Sequence, residues 1–153
     1  QNACRPHPPP GTAKRDPARK RHDISAGGML AIDESLTGEA RTKVLDMARP
    51  GMALYVGGMG ARGKNFYNDI ACAYGYEKEA GEVQDLYLEG KKAEAAAALP
   101  GEWLELSHLV GPRSFIKERV AAFKEAGVTV LSVNPVGPNA VQQIELLREI
   151  VDG

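Results

Sequence analysis

The stretch VTVLSV, residues 128–133, decides the fold class. Six residues, almost all apolar and rich in β-branched side chains, predict a strand covered on both faces, as the strands of parallel sheets are. Just before it, RSFIKERVAAFKEAG carries Ile116, Val120 and Phe123 at helical spacing, with Lys117, Arg119 and Lys124 off that stripe. Gly127 stands where it ends the helix. Just after the strand, NPVGPN reads as a loop, and from about Asn139 a last helix sets Val141, Ile144, Leu147 and Val151 on one side. Helix, glycine cap, buried strand, loop and helix make an α/β chain.

Working outward, ISAGGMLAI at residues 24–32 reads as a second buried strand. Its Gly27 and Gly28 suit a strand where another backbone or a ligand comes close. Thr37 can cap a helix from about Gly38, with Val44, Leu45, Met47 and Ala48 on its apolar side, until Pro50 and Gly51 interrupt it. Residues 65–74 and 77–98 both read as helices. In the second, Val83, Leu86, Tyr87 and Gly90 share a stripe, and Pro100 and Gly101 stop it. A short turn around Trp103 leads to Gly111 and Pro112. Tyr55, Tyr67, Tyr74, Tyr76 and Tyr87 are expected to pack helices together. Two strands that each need cover on both faces do not make a stable parallel sheet. The expectation is therefore that two chains share a sheet, or that the sequence is the tail of a longer α/β domain.

The chain has 153 residues, 43% hydrophobic and 25% charged, an ordinary globular composition that allows one domain with a core and names no function. Residues 1–22 contain five prolines and no hydrophobic periodicity, which predicts a loop or disordered segment. Six basic residues against one acidic give that tail a charge of +5 and leave −6 for the rest. Without an aromatic residue for base stacking, the tail reads as a solvated loop, so no nucleic-acid partner is expected. Cys4 and Cys72 form no framework or metal spacing, which suits the cytoplasm. His7, His22 and His108 are scattered, so no metal site is expected. No apolar run approaches the roughly 20 residues of a membrane span, and no membrane partner is expected. A start at Gln1 rather than Met implies processing or a missing beginning.

GGMGARGKNFY, residues 57–67, fits two nucleotide-binding patterns at once. Gly58, Gly60 and Gly63 satisfy G-x-G-x-x-G, Gly58 to Lys64 satisfy G-x-x-x-x-G-K, and the apolar run MALYV precedes both as a strand would. Asn65, however, stands where a Ser or Thr hydroxyl would hold magnesium. Asp85 lies near the distance of a ribose-binding acid, but a helical stretch intervenes with no second strand. A glycine-rich break between helices, with Arg62 and Lys64 in solvent, accounts for the same residues.

GTAKRDP, DISAGGMLAI, ARPGMALYVGGMGARGKNFYNDIACAYGYEKEA, DLYLEGKKAEAAAALP and LVGPRSFIKERVAAFKEAGVTVLSVNPVG together resemble the C-terminal part of the luciferase-like monooxygenase superfamily. Within it, they resemble the branch of F420-dependent oxidoreductases. The resemblance runs from about Gly11 to the end; the segment from Ala48 to Ala80 is the specific part. It implies a helix-rich C-terminal portion of a (β/α)8 TIM barrel over residues 23–153, with residues 24–32 as the seventh strand and 128–133 as the eighth. The glycine-rich segment would be part of a helical insertion between them. The N-terminal ACRPHPPP departs from the pattern and implies an aberrant start.

The resemblance further implies a deazaflavin-dependent oxidoreductase or monooxygenase that transfers a hydride with a small organic substrate. Coenzyme F420 is the expected cofactor and FMN the alternative. Active faces of such barrels lie at the C-terminal ends of the strands. That places Ser132, Asn134 and Pro135, and Asp33, Glu34 and Ser35, near the site, with Arg62, Lys64 and Tyr67 in the insertion. Arg62 and Lys64 would attract the anionic tail of the cofactor or a substrate carboxylate, and Asn134 would hydrogen-bond near the ring; all three have ordinary structural readings too. Catalytic residues are not assigned. The competing expectation is a non-catalytic remnant or interaction module whose exposed sheet edges pair with another chain as a homo-oligomer.

Overall fold

The computed structural model describes residues 23–153. The proposed loop at residues 1–22 lies outside them. In chain order the elements are β1 (Ser25–Ile32), α1 (Gly38–Asp46), α2 (Arg49–Ala53), a π-helical turn (Leu54–Gly58), α3 (Phe66–Ala73), α4 (Glu77–Leu88), α5 (Lys92–Ala98) and α6 (Gly101–Ser107). Then follow β2 (Leu109–Gly111), α7 (Arg113–Glu125), β3 (Val130–Pro135) and α8 (Ala140–Asp152). The chain is thus a helix-rich α/β protein with a small parallel sheet. It divides into two compact units, one running up to Leu36 and resuming over Leu109–Gly153, the other Thr37–His108.

The first unit holds the sheet, in the order β2-β1-β3 with both pairings parallel. Leu30 pairs with Leu109 on one side of β1, and Gly27 with Ser132 and Met29 with Asn134 on the other. Side chains alternate along each strand. One face gathers Leu30, Ile32 and Leu109 under Ile116 and Val120 of α7 and Leu147 and Ile150 of α8. None of these seven is more than 7% exposed. At about 1.5–3 kcal/mol for each fully buried aliphatic side chain, this cluster is the main source of the unit's stability. The stripe predicted for α7 is present. That of α8 is rotated: Leu147 and Ile150 are buried, whereas Val141 is 73% exposed.

Two expectations about strands are corrected. There are three strands among the described residues, not two, so β1 and β3 are not successive in the chain. β3 starts two residues later than the sequence suggested and is not covered on both faces. It is an edge strand on which Leu131 and Val133 meet the helix layer, while Val130, Ser132 and Asn134 are exposed. β2 and β3, joined by α7, lie on opposite sides of β1. In a barrel wall, strands joined by one helix are neighbours.

The second unit is helical. Its core joins Ala53, Val56, Ala71, Ala80, Val83, Ala95 and Leu99, with Trp103 and Tyr87 packed against it. MALYV is helical here, crossing from α2 into the π-helical turn, so the strand expected before the glycines is absent. The helix expected over residues 77–98 is two helices. Gly90 adopts φ +84°, its N–H bonds the Tyr87 carbonyl and the Lys91 N–H bonds the Leu86 carbonyl. That pair of bonds is the Schellman ending of a helix. The same ending recurs at Gly75 after α3 and, in the first unit, at Gly127 after α7. Trp103 sits in α6 rather than a turn, its ring edge-on to Tyr76 at 5.0 Å.

Candidate functional site

In the first unit the C-terminal ends of the strands are held by polar side chains from distant parts of the sequence. Ile32 closes β1, and the Gln143 side-chain amide of α8 binds both its backbone groups. It accepts from the Ile32 N–H at 2.6 Å and donates to the Ile32 carbonyl at 3.3 Å. A side-chain amide thereby takes the part of a strand neighbour. The next residue, Asp33, starts a tight turn in which its carboxylate accepts from the Ser35 hydroxyl at 2.6 Å and the Ser35 N–H at 2.8 Å. Those bonds, the hydroxyl first, hold the Asp33 carboxyl below its ordinary value of 3.8. Glu34 accepts from the Arg113 N–H at 3.2 Å, placing a carboxylate at the first turn of α7 where the helix dipole favours it. Arg113 itself pairs with Glu149 at 3.0 Å.

Asn134 lies near the end of β3, exposed, on the face opposite the helix layer. Ser132 precedes it on that face, in register with Gly27. A Cβ at Gly27 would come within 2.1 Å of the Ser132 carbonyl oxygen, and Gly27 has φ +141°. The glycine therefore allows the close strand approach that the sequence anticipated. The same face carries Met29, Ala31, Val110 and Val130, of which Ala31 and Val110 are buried, so Ser132 and Asn134 are exposed polar groups on a mixed surface. The Asn134 amide supplies both a donor and an acceptor there.

Arg62 and Lys64 belong to the second unit, in the segment between the π-helical turn and α3. Arg62 bonds Asp85 of α4 at 2.7 Å with both side chains more than half exposed. The acid that a dinucleotide reading would have given to a ribose is thus the partner of Arg62. Lys64 is exposed. Asn65 is fully buried and uses its whole amide: it accepts from the N–H groups of Tyr67 at 3.0 Å and Asn68 at 3.3 Å, and donates to the carbonyls of Tyr55 at 3.0 Å and Val56 at 2.9 Å. It caps α3 and ties that helix to the π-helical turn.

The glycines around it are equally structural. Added Cβ atoms at Gly57 and Gly58 would come within 2.6 Å and 2.3 Å of Tyr87, and one at Gly60 within 2.3 Å of the Lys64 carbonyl oxygen. These contacts, together with the left-handed φ of +69° at Gly63, account for the glycine pattern without a phosphate. His108 is half-buried, and burial pushes its imidazole below 6.5, so it is neutral at pH 7. Among the described residues, no group of His, Cys, Asp and Glu is placed to hold a metal ion, and no helix is long and apolar enough to cross a membrane.

Among the residues singled out from sequence, Asn134 and the Asp33–Glu34–Ser35 turn lie at the C-terminal end of one sheet. Arg62 and Lys64 share the other unit with Tyr67, whose ring meets that of Tyr55 at 4.8 Å. Sequence reasoning missed Gln143. Its partner is 111 residues away, and no local pattern announces such a contact.

Residues 10–130 match the luciferase-like monooxygenase family, and the chain belongs to it. It is also 30% identical over 137 residues to a protein of Mycobacterium tuberculosis named for an inferred coenzyme F420-dependent oxidoreductase activity. That match covers 90% of this chain and 39% of the relative, so the chain spans about two-fifths of its length. No solved structure matches the chain.

Proposed function

We propose that this chain is part of a coenzyme F420-dependent oxidoreductase that transfers a hydride to or from a small organic substrate, in the cytoplasm. The observation that carries the reading is the family membership together with the resemblance to the mycobacterial relative over 90% of the chain. Helices cover one face of the sheet and the other presents Ser132 and Asn134, but the strand order β2-β1-β3 is not that of a (β/α)8 wall, in which β2 would lie between β1 and β3, so the reading rests on the family membership.

The residues offered to the cofactor are Asn134, as a hydrogen-bonding group beside a ring, and Lys64 and Arg62, as cations for an anionic tail. Lys64 fits this role better than Arg62, which Asp85 already holds. When bound, a deazaflavin supplies two-electron hydride transfer, and the protein supplies position and electrostatics.

The test is a chimera in which this chain replaces the matched 39% of the mycobacterial relative, titrated with coenzyme F420 by deazaflavin fluorescence. Lys64→Ala is expected to weaken binding by about fivefold and Arg62→Ala by less, because exposed charges contribute about 1 kcal/mol or under. Asn134→Ala is expected to weaken binding by about tenfold. Affinities unchanged in all three variants would remove these residues from the cofactor site.

A further inference from the structure

β1 runs on past the point where β3 leaves it. Their register ends with Leu30 opposite Pro135, and the Val136 N–H then donates to the Leu30 carbonyl at 3.0 Å. Backbone groups two residues apart on a strand point to the same side, so the N–H and carbonyl of Ile32 face the place that β3 has vacated. Ile32 is buried, and buried backbone groups need partners within the protein. The Gln143 amide supplies both, accepting from the N–H and donating to the carbonyl. On the β2 side the following residue is held by a longer bond, from the Asp33 N–H to the Gly111 carbonyl at 3.3 Å.

We infer that Gln143 is a positioning residue: by closing the end of β1 it fixes the Asp33–Ser35 turn, and with it the carboxylate carried at the C-terminal end of the sheet. The turn starts at the residue after Ile32, so freedom at Ile32 passes straight into Asp33. The other bonds of the turn do not anchor it to the sheet. Leu36 donates to the Asp33 carbonyl within the turn at 3.1 Å, and the bond from the Arg113 N–H to Glu34 is exposed. A neutral amide suits the task because it offers one acceptor and one donor side by side, as a peptide group does. Gln143 is also carried on a fixed element, since Leu147 and Ile150 of the same helix are buried in the core. The inference rests on the proposed function only in taking the C-terminal strand ends as the site.

Asp33 reports on the turn without any ligand. The bonds from Ser35 hold its carboxyl below 3.8, so its titration reads the geometry of the turn. In the 153-residue chain, Gln143→Met is expected to raise the Asp33 midpoint toward 3.8, followed by NMR of the side-chain carboxyl carbon, and to speed amide exchange at Ile32 by about tenfold. A side chain that only added stability would leave the titration of folded Asp33 where it is. Ser35→Ala removes the hydroxyl bond directly and gives a shift for comparison. Where circular dichroism shows the Met variant unfolded, Gln143→Asn, polar but one methylene too short to reach Ile32, gives the reading. An Asp33 midpoint that does not move overturns the inference. In the chimera with the mycobacterial relative, Gln143→Met is expected to weaken coenzyme F420 binding by about tenfold. A chimera that binds no F420 even with Gln143 in place defeats the proposed function, and the Asp33 titration still decides the role of Gln143. An unchanged F420 affinity beside a shifted Asp33 midpoint removes Gln143 from the site and overturns the inference there.

Discussion

Asn65 shows how far a single residue can be read, and in which frame. Measured against a magnesium-binding loop, it stands out for the hydroxyl it lacks. Measured against helix-start chemistry, an Asn just before an apolar helical stretch is a cap, and the structure shows it capping α3 while donating to Tyr55 and Val56. From sequence, Asn65 reads as the first residue of a helix over residues 65–74, so the cap goes unrecognised. The two carbonyl acceptors are further out of reach, because they depend on a π-helical turn that no local pattern foretells. Asn65→Ala is expected to lower the unfolding free energy by about 2–3 kcal/mol. About 1 kcal/mol is the lost cap and the remainder the Tyr55 carbonyl deprived of its Asn65 donor. Val56 suffers less, since Asn68 also donates to its carbonyl at 3.1 Å. Asn65→Asp keeps the cap but sets a carboxylate against two carbonyls, so it should destabilise at least as much at neutral pH. Urea denaturation measures both, and a loss below about 0.5 kcal/mol for the Ala variant would contradict the role assigned to this amide.

Among elements, those with a full period of pattern were legible and those without were not. The α7 stripe and its Gly127 ending follow from sequence because thirteen residues repeat the same face. β2 escaped because three residues cannot display an alternation. The burial of β3 was overestimated because an apolar strand reads alike in the middle of a sheet and at its edge. In sequence, α4 and α5 look like one helix because Gly90 continues the spacing of Val83, Leu86 and Tyr87. Its φ of +84° shows that it is the break instead. Gly90→Ala is therefore expected to destabilise the protein by about 1–2 kcal/mol, the cost of forcing a Cβ into the left-handed region. Open space surrounds the position that Cβ would take, so backbone conformation and not collision sets the cost. Gly90→Asn should recover part of the loss. Thermal unfolding of the two variants distinguishes the cases: a Gly90→Ala variant as stable as the wild type would mean that the two helices can fuse.

For the whole molecule, family membership was legible from residues spread along most of the chain, whereas the site was only partly so. Polar groups at the strand ends converge through contacts such as Gln143 with Ile32, 111 residues apart, and Glu34 with Arg113, 79 apart. Pattern reading does not reach contacts of that span. The same geometry limits what three strands can do by themselves. In barrel enzymes the groups that hold a ligand come from the ends of several strands, and this sheet offers Asn134 and the turn after β1 from two of its three. If the proposed function is right, coenzyme F420 should bind the isolated chain at least about 100-fold more weakly than the chimera with the mycobacterial relative. Two lost contacts at about 1.4 kcal/mol each are enough for that difference. Fluorescence titration of both proteins under the same conditions decides it. Equal affinities would locate the whole cofactor site within this chain.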